Sequence, residues 1–186
     1  LWRQRAPLSR EPPLPQRGTV TPERRSLQHL LAALAYRTQK ALRDAPASFP
    51  GFSAGRKTRS PVEILRHMTS VLGYARTFFV GGSYPRDLEP LPTFPAEIER
   101  FHETLDALSR ELEAGTPLRG ISEQQLLQGP LADTLTHIGQ LALLRRLAGA
   151  PVPPENFIFA DVRADRLGPD QPLPAQPDAE WPEHTV

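Results

Sequence analysis

Apolar residues recur at helical spacing along four stretches of the chain. The first stretch begins at Thr21, which with Pro22 forms a typical helix start, and it ends near Leu42. There is no convincing alternation of period two and no internal repeat of solenoid length, so the pattern predicts helices rather than strands. The apolar face of this first helix comprises Leu27, Leu30, Leu31, Leu34, Thr38, Ala41 and Leu42.

The second and third stretches also have recognisable ends. The sequence "SPVE" opens the second, with Ser60 as the cap, Pro61 as the first helical residue and a glutamate that completes a capping box; Gly81 ends it. The third runs from about Phe94 to Glu113. Their apolar faces comprise Leu65, Met68, Leu72, Ala75 and Phe79 in the second and Ile98, Phe101, Leu105, Leu108 and Leu112 in the third.

The fourth stretch has two candidate starts. The capping box "SEQQ" favours a start at Ser122, whereas Pro130 favours a start just after it. The helix ends at Gly149 under either interpretation. Arg145 and Arg146 fall in its last turn, where cations interact favourably with the helix dipole.

Four helices with such wide apolar faces bury them most economically against one another. The predicted fold is therefore all-α, a four-helix bundle with irregular proline-rich termini. Most of the 22 prolines fall between or outside the helical stretches. We predict an irregular N-terminal arm at 1–20, the bundle at 21–165 and an irregular proline-rich tail at 166–186, with the segment "NFIFADVR" at 156–163 as a candidate to pack across the bundle.

Composition narrows the classes of function. The net charge is +1, from 22 basic and 21 acidic residues, and the basic residues form no stripe, so nucleic-acid binding is not suggested. The absence of cysteine excludes disulfides, thiolate nucleophiles and cysteine-rich zinc sites. No apolar run approaches the roughly 18 residues of a membrane span, and the chain start lacks the apolar middle of a signal peptide. We expect a cytoplasmic protein with no membrane partner.

The five histidines are the main candidates for acid–base catalysis or metal binding. His184 falls in the tail, His29 lies among the stripe residues of the first helix, and acidic residues flank His102 on the expected wet side of its helix. We expect none of these three to bind a ligand. His67 lies at the edge of an apolar stripe, where a side chain can point into a bundle cavity, although such a position is more typical of a packed histidine.

Asp133 and His137 stand four residues apart, which places them on one face of the last helix with Cβ atoms about 5–6 Å apart. Two such side chains can converge on one cation at about 2.0–2.2 Å from each ligand atom. The spacing alone fits a local Asp–His pair equally well. The surrounding leucines predict a mostly buried helix, in which a lone carboxylate is costly, and this favours coordination.

Two segments, "SPVEILRHMTSVLGY" and "GPLADTLTHIGQLALLRRLAG", resemble the DinB-like family of four-helix-bundle metalloenzymes, and the resemblance covers residues 24–165. That family has one histidine on the second helix in a context like "EILRHM", and a His-x-x-x-His pair followed by a Gly-Gln-Leu-like sequence on the last. His67 matches the first histidine and His137 matches the second member of the pair. Asp133 stands where the family usually has its other histidine.

The resemblance implies that His67, Asp133 and His137 bind one divalent metal, with zinc, nickel, iron and manganese all candidates. A carboxylate in place of an imidazole cancels one unit of the metal's charge, so a bound water would be less acidic than in a three-His site. Three protein ligands leave coordination positions open, as in catalytic sites. Gln140 and Tyr74 are candidate hydrogen-bond donors nearby.

The implied function is that of a metal-dependent enzyme of thiol-dependent transferase, isomerase or hydrolase type. It would act on a small-molecule substrate, with a low-molecular-weight thiol as a candidate cosubstrate and a homodimer as a candidate assembly. The departure at Asp133 supports an alternative: a metal-free DinB-like bundle that acts as a small-ligand-binding or protein-interaction module. In that case an arginine or backbone donors should engage the Asp133 carboxylate.

The metal hypothesis requires that His67 lie at the same height in the bundle as Asp133 and His137. His67 is about 10 Å along its helix at 1.5 Å per residue. If the fourth helix begins near Pro130 and runs parallel to the second, His137 falls level with His67. If the two helices are antiparallel, the match requires the earlier start near Ser122.

Overall fold

The computed structural model describes residues 20–177, and it confirms the predicted all-α four-helix bundle. Within these residues there is no strand, and a single isolated bridge joins Glu155 to Pro177. The predictions for residues 1–19 and for 178–186, which include His184, lie outside the described residues. The helices are α1 (Pro22–Leu42), α2 (Pro61–Val80), α3 (Phe94–Glu113), α4 (Glu123–Leu126) and α5 (Ala132–Leu147), with short 3-10 turns at Phe49–Gly51 and Phe157–Phe159.

A π-helical turn at Leu127–Leu131 joins α4 to α5, so that the three form one continuous rod, here called the fourth rod. Its start is the capping box: the Ser122 N–H donates to Gln125 Oε1 at 2.9 Å, and the Gln125 N–H donates to Ser122 Oγ at 3.2 Å. The Ala132 N–H donates hydrogen bonds to the carbonyls of Leu127 and Gly129. The wider turn thus carries Pro130 inside the rod, where proline usually ends an α-helix.

The first and fourth rods run in the same direction. At their starts, Arg24 Nε donates to Glu123 Oε1 at 3.3 Å. At their ends, the buried guanidinium of Arg145 donates from Nη1 to the carbonyls of Ala41 and Arg43 at 3.1 and 2.9 Å. Arg145 therefore stabilises the carbonyl end of α1 as well as the end of its own helix.

The second and third helices are parallel to each other and antiparallel to the other two. Arg66 Nε donates to Glu97 Oε1 at 2.6 Å near their starts, and Arg76 Nη2 donates to Glu111 Oε1 at 2.9 Å near their ends. The segment just before α4 meets the end of α2, where the Arg119 N–H donates to the carbonyl of Phe78 at 2.8 Å. Around the bundle the order is α1, α3, α2 and the fourth rod, so α1 lies diagonally opposite α2.

Because α3 begins beside the start of α2, residues 81–93 must return along the length of α2. We call them the return segment. Ser70 Oγ donates to the carbonyl of Pro85 at 2.7 Å, and the Leu91 N–H donates to Glu97 Oε1 at 2.8 Å. A Cβ on Gly73 would lie 2.3 Å from the ring of Tyr84, so only glycine lets that ring pack against the helix.

The core between the rods is apolar, and the chain after α5 covers one side of it. The largest fully buried side chains there include Tyr36, Phe79, Phe101, Leu65 and Met68. In the segment 156–163, Phe157 packs on α1 with its ring 3.6 Å from the guanidinium carbon of Arg37, whereas Ile158 and Phe159 are exposed. Among the described residues, no helix combines the length and apolar character that crossing a membrane requires.

The expectation that His102 lies on the wet side of its helix is wrong. Its side chain is buried at 2% exposure, and Nδ1–H donates to the carbonyl of Leu167 at 2.7 Å. Nε2 is buried and has no hydrogen-bond partner among residues 20–177. The chain that follows α5 covers this face, and the acidic neighbours of His102 in the sequence gave no sign of that cover.

Gly73→Ala should destabilise the protein although alanine favours helix formation by about 1 kcal/mol over glycine. The new methyl group would displace the Tyr84 ring and loosen the return segment. Gly139→Ala is the matched control, since Gly139 is also in a helix interior and its added Cβ meets nothing within 4 Å. Urea unfolding should show a lower midpoint for Gly73→Ala and a higher one for Gly139→Ala; a rise in both would contradict the packing of Tyr84 on α2.

His102 should make the fold sensitive to mild acid, because burial lowers its pKa to about 4. Between pH 6.5 and 4 the unfolded chain binds a proton at His102 that the folded chain excludes, so the free energy of unfolding falls as the pH falls, by about 3 kcal/mol. The non-titrating variant His102→Asn should lack this component. Chemical unfolding of both proteins from pH 7.5 to 4 tests it, and parallel stability curves would contradict the assignment.

Candidate metal centre

The antiparallel arrangement brings His67 level with Asp133 and His137. His67 lies 13 residues before the end of α2, and His137 lies 14 residues after the start of α4. At 1.5 Å per residue, both are about 20 Å from the bundle end where α2 finishes and the fourth rod begins. The condition posed for antiparallel helices, a start near Ser122, is therefore met.

The three predicted ligands form one cluster. Each offers a ligand atom, and no two of these atoms are more than 4.8 Å apart. His137 Nε2 lies 3.6 Å from Asp133 Oδ1, and His67 Nε2 lies 3.9 Å from Asp133 Oδ2. The two imidazole rings meet edge to face, with centroids 4.7 Å apart. Neither nitrogen is within hydrogen-bond distance of the carboxylate, so the three groups surround a gap rather than bonding to one another.

These separations suit a small cation. Metal bonds of about 2.0–2.2 Å in tetrahedral geometry place two ligand atoms about 3.3–3.6 Å apart. The nitrogen-to-oxygen distances, 3.6 Å to Oδ1 and 3.9 Å to Oδ2, exceed that range by a few tenths of an ångström at most. Separations within the cluster extend to 4.8 Å, so side-chain rotations must draw the three ligand atoms together around an ion. Two imidazole nitrogens and one carboxylate oxygen are a ligand set that divalent transition metals accept.

A hydrogen bond orients His137 for such a role. Its Nδ1–H donates to Gln140 Oε1 at 2.9 Å, which leaves the lone pair on Nε2 and turns that atom toward Asp133. A partner on the far ring nitrogen is typical of histidines that bind metals, since it holds both tautomer and ring orientation. Gln140 thus lies close enough to act at the site, as expected. It accepts the hydrogen bond from His137, however, whereas we expected it from the sequence to be a donor.

His67 is held in its neutral form over a wider pH range than a free histidine. Burial is the largest cause of its lowered pKa, followed by the positive charge of Arg59 and by His137, while Asp133 acts in the opposite direction. A neutral imidazole is the form that binds metal. Above its lowered pKa, His67 therefore carries a lone pair on one ring nitrogen that a metal could bind.

The expectation that Asp133 is buried is wrong. The Asp133 side chain is 47% exposed rather than buried, because the face of α5 that carries it opens to solvent next to α2. The burial of Asp133 therefore cannot be used as an argument for metal coordination. The argument for coordination is the geometry of the cluster. Tyr74 is 54% exposed and its ring packs edge to face against Phe78, so its candidate role as a hydrogen-bond donor at the cluster stays a prediction.

The metal-free alternative expected an arginine or backbone donors on the Asp133 carboxylate. Among the described residues no arginine ion pair and no backbone hydrogen bond reaches it, and its charged neighbours are the two histidines. The hydroxyl of Thr136 bonds the backbone carbonyl of Asp133 instead. This part of the alternative lacks support.

Sequence reasoning missed the arginines beside His67. Arg59 precedes the cap of α2 and Arg86 lies on the return segment, and both line a cavity together with His67. Their approach follows from the return of residues 81–93 along α2, and no local pattern in the sequence signals that path.

Comparison with known proteins finds no counterpart for this chain: no protein-family model, curated protein or solved structure matches it. Proposals about its function therefore depend on its own residues and on the motif resemblance described above.

Removal of the Gln140 amide should release the tautomer of His137. In metal-free protein at pH 8, long-range nitrogen–proton NMR spectra should show His137 with its proton on Nδ1. In Gln140→Ala the form protonated on Nε2 should become populated, because the acceptor for Nδ1–H is lost. Gln124→Ala, in α4, is the control. An unchanged His137 tautomer in Gln140→Ala would contradict the orienting role.

Proposed function

We propose that the protein is a metal-dependent enzyme in which His67, Asp133 and His137 bind one divalent metal. The observation that supports this most directly is the convergence of three ligand atoms from two antiparallel helices, with no pair more than 4.8 Å apart. The two histidines make no hydrogen bond to the Asp133 carboxylate, so the nitrogen and oxygen atoms of the cluster are available to a cation.

The chemistry proposed for the site follows from its ligand number and exposure. Three protein ligands leave coordination positions open, and the half-exposed Asp133 places them beside solvent and within reach of a small molecule. A bound metal would act there as a Lewis acid or activate a coordinated water or thiol. His67 and His137 would donate lone pairs, and Asp133 would supply negative charge that moderates the acidity of a coordinated water.

The resemblance to the DinB-like family supports the same class of function. It would make the protein a thiol-dependent transferase or isomerase, or a hydrolase, that acts on a small molecule. Zinc, nickel, iron and manganese all remain candidates, because the ligand set of two imidazoles and one carboxylate accepts each of them.

One observation favours the alternative of an interaction module. Helix α5 exposes Leu135, Leu143 and Leu147 at spacings of eight and four residues, and the intervening Gly139 continues the stripe. Exposed apolar faces of this kind occur where soluble proteins meet partners, including second copies of themselves. This stripe includes none of the proposed ligands.

Metal binding separates the two functions. Chelator-treated protein titrated with Co²⁺ or Zn²⁺ should bind one ion per chain, and His67→Ala, Asp133→Ala and His137→Ala should each weaken binding by at least about tenfold, because each removes one of three ligands. His29→Ala is the matched control, since His29 is exposed on α1. Calorimetry and elemental analysis give the affinity and the stoichiometry.

The outcome that rejects the metal centre is equally specific. Metal binding that is unchanged in both Asp133→Ala and His137→Ala, or no binding by the unmodified protein at micromolar metal, would exclude this cluster as a site. The metal-free interaction module would then be the better description of the bundle.

A further inference from the structure

A small cavity opens beside the proposed metal ligand His67. Its volume is about 210 Å³, and His67 lines it together with Arg59, Glu63, Arg66, Arg86, Asp87 and Leu88. The start of α2 forms one wall and the return segment forms the other. We call this space the basic cavity. It shares His67 with the metal cluster, so a molecule in it lies next to the proposed metal.

Two of the arginines in the basic cavity have no hydrogen-bond or ion-pair partner among residues 20–177, although the charge of Arg59 also acts on Glu63. Arg66 already donates to Glu97, and Glu63 already accepts from the backbone and hydroxyl of Ser60. The guanidinium groups of Arg59 and Arg86 make no hydrogen bond or ion pair within the described part of the chain. Five donors on each guanidinium are therefore available to a ligand.

The positive charge of these arginines reaches the metal cluster. Burial is the largest cause of the lowered pKa of His67, and the charges of Arg59 and Arg86 both add to it. Asp133 is the one carboxylate among the groups that raise this pKa. Near His67 the positive charge of the two arginines therefore outweighs the negative charge of Asp133, while Glu63 and Asp87 also line the cavity.

The size and charge of the basic cavity restrict the class of ligand that it can bind. Its lining carries three arginines and two carboxylates, a net charge of +1 when His67 is neutral. Such a lining matches a singly charged carboxylate better than a doubly charged phosphate. The volume of about 210 Å³ is smaller than the roughly 300–1,000 Å³ typical of sites for whole drug-sized ligands. It therefore suits one end of a molecule.

We propose that the basic cavity binds the carboxylate end of the small-molecule substrate through Arg59 and Arg86, while the other end of that molecule reaches the metal held by His67, Asp133 and His137. This inference depends on the proposed function, because it assigns the substrate class to the same centre. Paired arginine donors recognise a carboxylate well, and they would orient the substrate relative to the metal.

Two matched probes test the assignment without knowledge of the substrate. Succinate monohydroxamate and butyrohydroxamate have the same metal-binding group and similar length, and they differ by a terminal carboxylate in place of a methyl group. Titration of each into the cobalt-loaded protein, followed by the visible absorption of Co²⁺, gives two dissociation constants. The unmodified protein should favour succinate monohydroxamate by about fivefold at low salt, as two exposed charge pairs predict, and added salt should reduce the preference.

The double variant Arg59→Gln/Arg86→Gln should bring the ratio of the two dissociation constants close to one. Arg56→Gln/Lys57→Gln is the matched control: it removes the same charge, from the loop that carries Arg59, at residues that do not line the cavity, so it should retain the preference. The ratio is independent of any change in cobalt affinity that a variant causes.

The possible failures are distinguishable. If cobalt binds at the cluster and the unmodified protein shows no preference, or the double variant retains it, the carboxylate assignment is overturned and the metal centre stands. If cobalt does not bind through His67, Asp133 and His137, the proposed function and this assignment are overturned together.

Discussion

The height of α2 relative to the fourth rod is the constraint on which the candidate centre depends. His67 is distant in sequence from Asp133 and His137, so the three meet only because two antiparallel rods are positioned side by side at the right height. A slip of one helical turn, about 5.4 Å, would separate them beyond any shared ligand. One polar contact opposes such a slip directly: the Arg119 N–H, just before the fourth rod, donates to the carbonyl of Phe78 near the end of α2. Arg24 with Glu123, and Arg145 with the carbonyls of Ala41 and Arg43, hold the fourth rod level with α1.

The π-helical turn adds a rotational constraint to this axial one. A π turn contains one more residue than an α turn, so it rotates every later side chain by about 100° around the helix axis. Asp133 and His137 follow the turn directly. In an uninterrupted α-helix from Ser122 they would point about 100° away from their present direction, and the face turned toward α2 would carry other side chains. The π-helical turn that contains Pro130 thus sets the direction in which the side chains of Asp133 and His137 point.

Much of the fold was predictable from local signals, and the exceptions have physical causes. Capping residues such as Thr21 and Ser122 act within one turn, and the spacing of Asp133 and His137 on one face needs only helical geometry. The direction of the fourth rod depends on tertiary packing, so the sequence left the match with His67 open. The burial of His102 and the exposure of Asp133 were predicted wrongly, because distant chain covers one residue and leaves the other uncovered. The arginine-lined cavity was missed because the return path of residues 81–93 has no local signature.

The diagonal placement of α1 and α2, and the parallel pairing of α2 with α3, have a consequence for how the bundle forms. Helices that follow one another in the chain are not simply folded back on each other, so few contacts can form before long loops close. His67 and His137 are separated by 70 positions, and bringing them together requires closure of a loop that contains α3, the return segment and the π turn. Folding should accordingly be slower than in an up-and-down bundle of equal length, and the histidine pair would assemble only once the last rod has docked.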